Sequence, residues 1–73
     1  MWKYDSPIGI MFIKRASNGC YVLVHDNQAY GYWPSPESLA SNIYTHTTGY
    51  DRWDELDGMY YDEPSDLSEW EKI

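Results

Sequence analysis

Apolar residues in the first half of the chain fall into three short runs that are separated by turn residues. The runs cover residues 8–14, 20–25 and 29–33 and are rich in the β-branched and aromatic residues that favour strands. Asn18 and Gly19 join the first two runs, and this pair is a strong hairpin signal because both residues tolerate positive φ. The pattern predicts a three-stranded antiparallel meander.

Strand alternation assigns the side chains of the second and third runs to the two faces of this sheet. Tyr21 shares a face with Leu23 and His25, and the third run places Tyr30 and Tyr32 together. Neither face is clearly polar, so we expect a helix of the same chain to cover one face. We expect the C-terminal segment or a second copy of the chain to cover the other.

One main helix is predicted over about residues 36–46. Ser35 suits the N-cap, Pro36 suits the first helical position, and Glu37 interacts favourably with the positive end of the helix dipole. Gly49 is suited to the position just after the helix end. The apolar residues of this segment form one stripe that should pack on the sheet: Leu39, Ala40, Ile43 and Tyr44.

The C-terminal segment, residues 51–73, differs from the rest of the chain in its charge. It holds nine acidic and two basic residues, whereas residues 1–50 are balanced, so it carries the whole net charge of −7. Its tryptophans and tyrosines are not typical of a disordered linker. Residues 59–61 are expected to be extended.

Two parts of this segment have the spacing of short helices. Tyr50 and Trp53 are one helical turn apart, and Ser65 is suited to cap a last turn in which Leu67 and Trp70 fasten the chain end to the body. The whole pattern predicts a single α+β domain over residues 1–73. A three-stranded antiparallel sheet packs against one main helix, and a short helical acidic C-terminal segment follows this neutral body.

Charge and cysteine content disfavour several classes of function. An acidic chain is poorly suited to binding bare nucleic acid directly or an anionic membrane surface, since both attract Lys and Arg. Cys20 is the only cysteine, so no internal disulfide can form, and we expect a cytoplasmic location. The longest apolar stretch, residues 8–13, is too short to cross a bilayer, and the start lacks the long apolar region of a signal peptide.

No motif for catalysis, metal binding or cofactor binding is found in the sequence. Cys20, His25 and His46 lack the paired spacing of zinc ligands, and alternation directs Cys20 and His25 to opposite faces. The acids between Asp51 and Gly58 do not occupy the positions of a calcium-binding loop. We therefore predict no cofactor and no enzymatic activity, and a small enzyme that uses Cys20 or a histidine ranks third among the functional hypotheses.

The aromatic excess and the confined charge favour a non-enzymatic protein-interaction module. Thirteen aromatic residues in 73 exceed what a thin core encloses. The module would present an acidic surface to a basic protein, or form a homodimer through spare aromatic surface. The alternative is an aromatic platform that stacks on a carbohydrate or a nucleobase. The candidate partner-binding residues are Tyr21, Tyr30, Tyr32, Trp53, Asp54, Glu55, Asp57, Asp62 and Glu63.

Overall fold

The computed structural model describes residues 1–59 and 63–73. The expectation that residues 59–61 are extended therefore falls largely outside the described residues, and Met59 itself lies in a turn. The elements in chain order are β1 (Trp2–Ser6), β2 (Gly9–Arg15), β3 (Tyr21–His25), β4 (Gln28–Trp33), α1 (Pro36–Thr45), α2 (Asp51–Asp54), a short 3₁₀ helix (Leu67–Glu69) and β5 (Glu71–Lys72).

The fold is α+β, with an antiparallel sheet and one main helix as predicted, but the sheet has five strands and not three. The strand order is β4-β3-β2-β1-β5, and all pairs are antiparallel. The first missed strand, β1, forms a hairpin with β2 in which Trp2 pairs with Ile13 and Tyr4 pairs with Met11. The second, β5, adds two residues to the outer edge of β1.

A β-bulge interrupts the pairing of β3 with β4. Leu23 pairs with Tyr30, whereas Tyr21 pairs with Trp33, so three steps along β4 oppose two steps along β3. Gly31 lies in the bulge with φ of 68°, a backbone conformation that glycine adopts without steric cost. The extra residue reverses the alternation for the end of the strand.

The bulge makes the predicted pairing of Tyr30 and Tyr32 on one face wrong. Tyr30 and Trp33 both pack against the core on the helix side of the sheet, and Trp33 Nε1 donates to Asn42 Oδ1 in α1 at 2.8 Å. Tyr32 is 69% exposed. One additional residue in an edge strand therefore separates two tyrosines that strict alternation would place together.

Helix α1 begins as predicted and ends within one residue of the predicted bound. The side chain of Ser35 accepts from the backbone N–H of Ser38, and Pro36 opens the helix. The helix ends at Thr45 because His46 adopts a left-handed conformation with φ of 56°, so Gly49 is not the residue that terminates it. Tyr44, predicted to belong to the apolar stripe, is 45% exposed.

The core lies between α1 and one face of the sheet, and the C-terminal segment contributes to it. Trp53 in α2 is fully buried, and its Nε1 donates to the carbonyl oxygen of Ile43 at 2.8 Å. Asp66 caps the 3₁₀ helix, the position predicted for Ser65, and Trp70, just after this helix, packs into the same core. The buried cluster comprises Met11, Ile13, Leu23, Leu39, Ala40, Ile43, Tyr50, Trp53 and Trp70.

Candidate interaction surfaces

The carboxylate of Asp54 is engaged within the fold. Its Oδ1 accepts from the backbone N–H and the hydroxyl of Thr48, at 3.0 and 2.8 Å, and its Oδ2 accepts from the N–H of Gly49 at 2.8 Å. These bonds close the loop between α1 and α2. This predicted partner-binding residue therefore holds the loop in place.

Glu63 and Trp53, also predicted to bind a partner, flank the buried ring of His46. The imidazole stacks on the indole of Trp53, and its Nδ1 donates to the carbonyl oxygen of Trp53 at 2.9 Å. Nε2 lies 3.6 Å from Oε2 of Glu63, and the two side chains are 2% and 9% exposed. Among the described residues, neither of these two atoms has a hydrogen-bond partner.

The three tyrosines of the predicted aromatic platform are distributed over two sides of the sheet. Tyr30 stacks on Tyr50 with 3.9 Å between ring centroids, and Tyr21 meets the edge of Trp2 at 6.3 Å. Both lie on the helix side, half-buried, whereas Tyr32 is exposed. A stacking platform would need these rings on one open face, and the geometry does not bring them together.

A buried polar chain lies beneath the Tyr30–Tyr50 stack. The Tyr50 hydroxyl lies 2.8 Å from Nδ1 of His25, and Nε2 of the same ring lies 2.8 Å from the carbonyl oxygen of Ile8. Because a carbonyl only accepts, Nε2 carries a proton, and in the neutral imidazole Nδ1 accepts from Tyr50. Burial raises the pKa of Tyr50 above its ordinary value, and the neighbouring Tyr30 hydroxyl raises it further.

Residues Asp51, Glu55 and Asp57 form what we call the acidic corner, in and just after α2. All three side chains are exposed, and Met59 beside them is 75% exposed. Among the described residues these acids make no ion pair, because the one base in this stretch, Arg52, lies 3.3 Å from Asp26. Asp62, the remaining candidate, lies outside the described residues.

The residues considered for metal or nucleophile chemistry are not assembled into a site. His25 and His46 are buried at different places in the core, and Cys20 is half-buried between β2 and β3. Within residues 1–59 and 63–73, no group of three His, Cys, Asp or Glu side chains has the arrangement needed to hold a metal ion.

The face of the sheet opposite α1 is the one that the C-terminal segment or a second copy was expected to cover, and its residues were not among the candidate partner-binding residues. Trp53 and Trp70 of the C-terminal segment pack on the helix side instead. The face opposite α1 contains a groove of about 420 Å³ lined by Met1, Ile10, Phe12, Lys14, Val24, Asp26 and Asn27. The signal was present, because residues 8–13 are apolar at both odd and even positions, whereas a strand with one solvent-facing side alternates. Both faces of β2 therefore carry large apolar side chains.

Comparisons with protein-family models, curated proteins and solved structures return no match. They therefore assign neither a family nor a function to the chain. In the described part of the chain, no helix has the length and apolar character needed to span a bilayer.

Proposed function

We propose that this domain is a non-enzymatic protein-interaction module that binds a basic protein through the acidic corner. The observation that carries this proposal is that some acids of residues 51–73 make contacts within the fold, whereas others do not. Asp54 closes a loop, Glu63 faces His46, and Asp66 caps the 3₁₀ helix. The acids of the corner have no such internal role.

Solvent exposure and local charge support a basic partner. Asp51, Glu55 and Asp57 lie within seven residues of one another, in α2 and the turn that follows it, and Arg52 is directed to Asp26. Such uncompensated charge attracts a cationic surface and raises the rate of encounter more than it raises final affinity. Met59, at 75% exposure, supplies an adaptable apolar contact at the side of the corner.

The use of the polar side chains supports a binding role over a catalytic one. Both ring nitrogens of His25 are engaged in hydrogen bonds inside the core. The carboxylate of Asp54 accepts three hydrogen bonds. A general acid or base must instead face a substrate, and these groups face the protein interior.

The positions of the acids define the experiment that tests the proposal. The double variant Glu55→Gln/Asp57→Asn removes two charges from the acidic corner without touching an internal hydrogen bond. The matched control, Glu37→Lys, changes the net charge by the same two units at one exposed site on the helix side. Immobilised proteins would be incubated with nuclease-treated host lysate, and captured proteins would be identified by mass spectrometry.

We expect the native chain and the control to retain a protein with a basic surface that the corner variant loses. The purified partner should then bind with an affinity that falls as salt is raised, since exposed charges are screened. Equal capture by all three proteins, or a captured partner with an acidic surface, would refute the proposal.

A further inference from the structure

The open face, which is the side of the sheet turned away from α1, is apolar at its centre. Phe12 in β2 pairs with Val24 in β3, and Val24 pairs with Ala29 in β4. Ile10, two residues before Phe12 and therefore on the same face, is 47% exposed. No described residue of the helices packs over this row, because α1, α2 and the 3₁₀ helix contribute their buried residues to the opposite side.

Charges on the open face are separated along the strand direction. Lys14 lies at one end of β2, beyond Phe12. Asp5 pairs with Ile10 at the other end, and Tyr4 beside it packs into the core, so the Asp5 side chain projects onto the open face. Positive charge therefore lies at one end of the apolar row, and negative charge lies at the other.

We propose that the open face binds a second copy of this chain, face to face, with the strands of the two sheets antiparallel. The two-fold axis runs in the plane midway between the two sheets. It is perpendicular to the strands and level with Phe12. This operation places β2 over β2, with Phe12 against Phe12. Lys14 of each copy then lies over Ile10 and beside Asp5 of the other copy, so the same ion pair forms twice, as an isologous interface requires.

The remaining charges of the face are compatible with this arrangement. Asp26 also lines the groove, at the same end of the strands as Asp5, and is paired with Arg52. Lys3 and Glu71 are cross-strand neighbours at the level of the axis, towards the edge of the sheet. The two-fold operation places Lys3 over Lys3 and Glu71 over Glu71, so each lysine keeps its cross-strand glutamate as the neighbouring opposite charge, and the group of four charges is neutral. The aliphatic stem of Lys14 covers Ile10 of the other copy, while its ammonium group reaches the carboxylate of Asp5 of that copy.

A second copy also fits the distribution of net charge over the whole chain. Most of the acidic segment packs on the helix side of the sheet, where Trp53 and Trp70 are anchored in the core. Joining two copies through their open faces keeps these segments on the two outer sides. Repulsion between two chains of net charge −7 is thereby reduced, and both acidic corners stay accessible.

The size of the face sets the expected affinity. Four strands about 4.8 Å apart and five residues of about 3.4 Å rise give a patch of roughly 19 by 17 Å. Such a patch covers roughly 320 Å² per copy, which is smaller than a standard interface, so we expect a weak, transient dimer that dissociates in the high micromolar range. Sedimentation velocity from about 1 µM to about 1 mM covers the transition.

The charge arrangement provides a test that only this geometry satisfies. Lys14→Glu and Asp5→Lys each convert two attractive contacts into two repulsive ones, and each should weaken dimerisation on the order of tenfold or more. In a mixed dimer of the two variants, position 14 of either copy again faces an opposite charge at position 5 of the other. An equimolar mixture should therefore dimerise at concentrations where neither variant does so alone.

Controls separate this result from general effects of charge or misfolding. Glu37→Lys changes an exposed charge on the helix side and should leave the dimer intact. Thermal unfolding of each variant establishes that it is folded. A native chain that stays monomeric over the whole range would overturn the proposal, and so would a dimer that is indifferent to both charge reversals. The acidic-corner variant should still dimerise, so either proposal can fail without the other.

Discussion

The imidazole of His46 stacks on the indole of Trp53, with 4.5 Å between ring centroids and 16° between ring planes. Nδ1 of the imidazole donates to the carbonyl oxygen of Trp53, and Nε1 of the indole donates to the carbonyl oxygen of Ile43. The end of α1 and the body of α2 are thus joined by two hydrogen bonds and a ring contact. This junction connects the neutral body, residues 1–50, to the acidic C-terminal segment.

The backbone of His46 leads to an unusual stability order. Glycine is ordinarily worse than alanine near a helix, but residue 46 has φ of 56°, where a Cβ costs roughly 1–2 kcal/mol. His46→Gly and His46→Ala both lose the ring contact. We expect His46→Ala to unfold at a lower urea concentration than His46→Gly. The free energy of unfolding of His46→Ala should be lower by about 1 kcal/mol. The reverse order would mean that residue 46 is not left-handed in solution.

Neutralising the adjacent acids Asp54 and Glu55 should have very different effects on the free energy of unfolding. In Asp54→Asn, an amide replaces an oxygen that accepts from Gly49, so two donors meet and the free energy of unfolding should fall by about 2 kcal/mol. Glu55→Gln, the matched control, removes an exposed charge and should change it by less than about 0.5 kcal/mol. Urea titrations would measure both. Equal effects would contradict the division of the acids on which the proposed function rests.

The buried hydroxyl of Tyr50 predicts how stability depends on alkaline pH. Burial and the Tyr30 hydroxyl raise the pKa of Tyr50 above the ordinary 10.0, so the folded state disfavours the phenolate. The unfolded chain therefore loses this proton first as pH rises. The stability contribution is complete below about pH 10 and is lost as pH rises through the raised pKa.

The variant Tyr50→Phe isolates this effect. At neutral pH it should lose about 1–2 kcal/mol, because Nδ1 of His25 is left buried without its donor. Its stability should fall less steeply above about pH 10 than that of the native chain, as measured by denaturant unfolding at a series of pH values. Parallel pH profiles for the two proteins would show that Tyr50 does not supply the alkaline dependence.

Strand β1 could have been predicted from the sequence, and the reason it was missed is informative. Trp2, Lys3, Tyr4 and Asp5 alternate strictly between aromatic and charged residues, which is the pattern of a strand with one buried face. Continuous apolar runs favoured β2 instead. Strands β2, β3 and β4 were found because their apolar content does not depend on alternation.

Sequence periodicity does not predict which of the candidate side chains are buried, because their burial depends on contacts between distant parts of the chain. The spacing of Tyr50 and Trp53 correctly indicated a short helix, but it does not distinguish a ring that packs inward from one offered to a partner. Trp53 is fully buried, and its indole N–H donates to the carbonyl oxygen of Ile43 at the end of α1. Similarly, composition gave the total charge of the acidic segment but not which carboxylates the fold uses.

The bulge in β4 supplies the last prediction. Gly31 has φ of 68°, and a Cβ on it would lie 2.7 Å from Cη2 of Trp33. The Trp33 ring is held by its hydrogen bond to Asn42, so it moves aside only by breaking that bond. Gly31→Ala should therefore combine backbone strain with a steric clash and destabilise the fold by about 2–3 kcal/mol.

Gly19→Ala provides the matched control, because Gly19 has φ of 85° and a Cβ added to it would have no other atom within 4 Å. It carries the backbone cost alone, about 1–2 kcal/mol. Urea unfolding should give Gly31→Ala a lower free energy of unfolding than Gly19→Ala. The near-ultraviolet circular dichroism of Gly31→Ala should also change, because Trp33 is displaced. Equal stabilities with an unchanged tryptophan signal would mean that Trp33 does not pack over the bulge. The assignment of Tyr30 and Tyr32 to opposite sides of the sheet would then lose its basis.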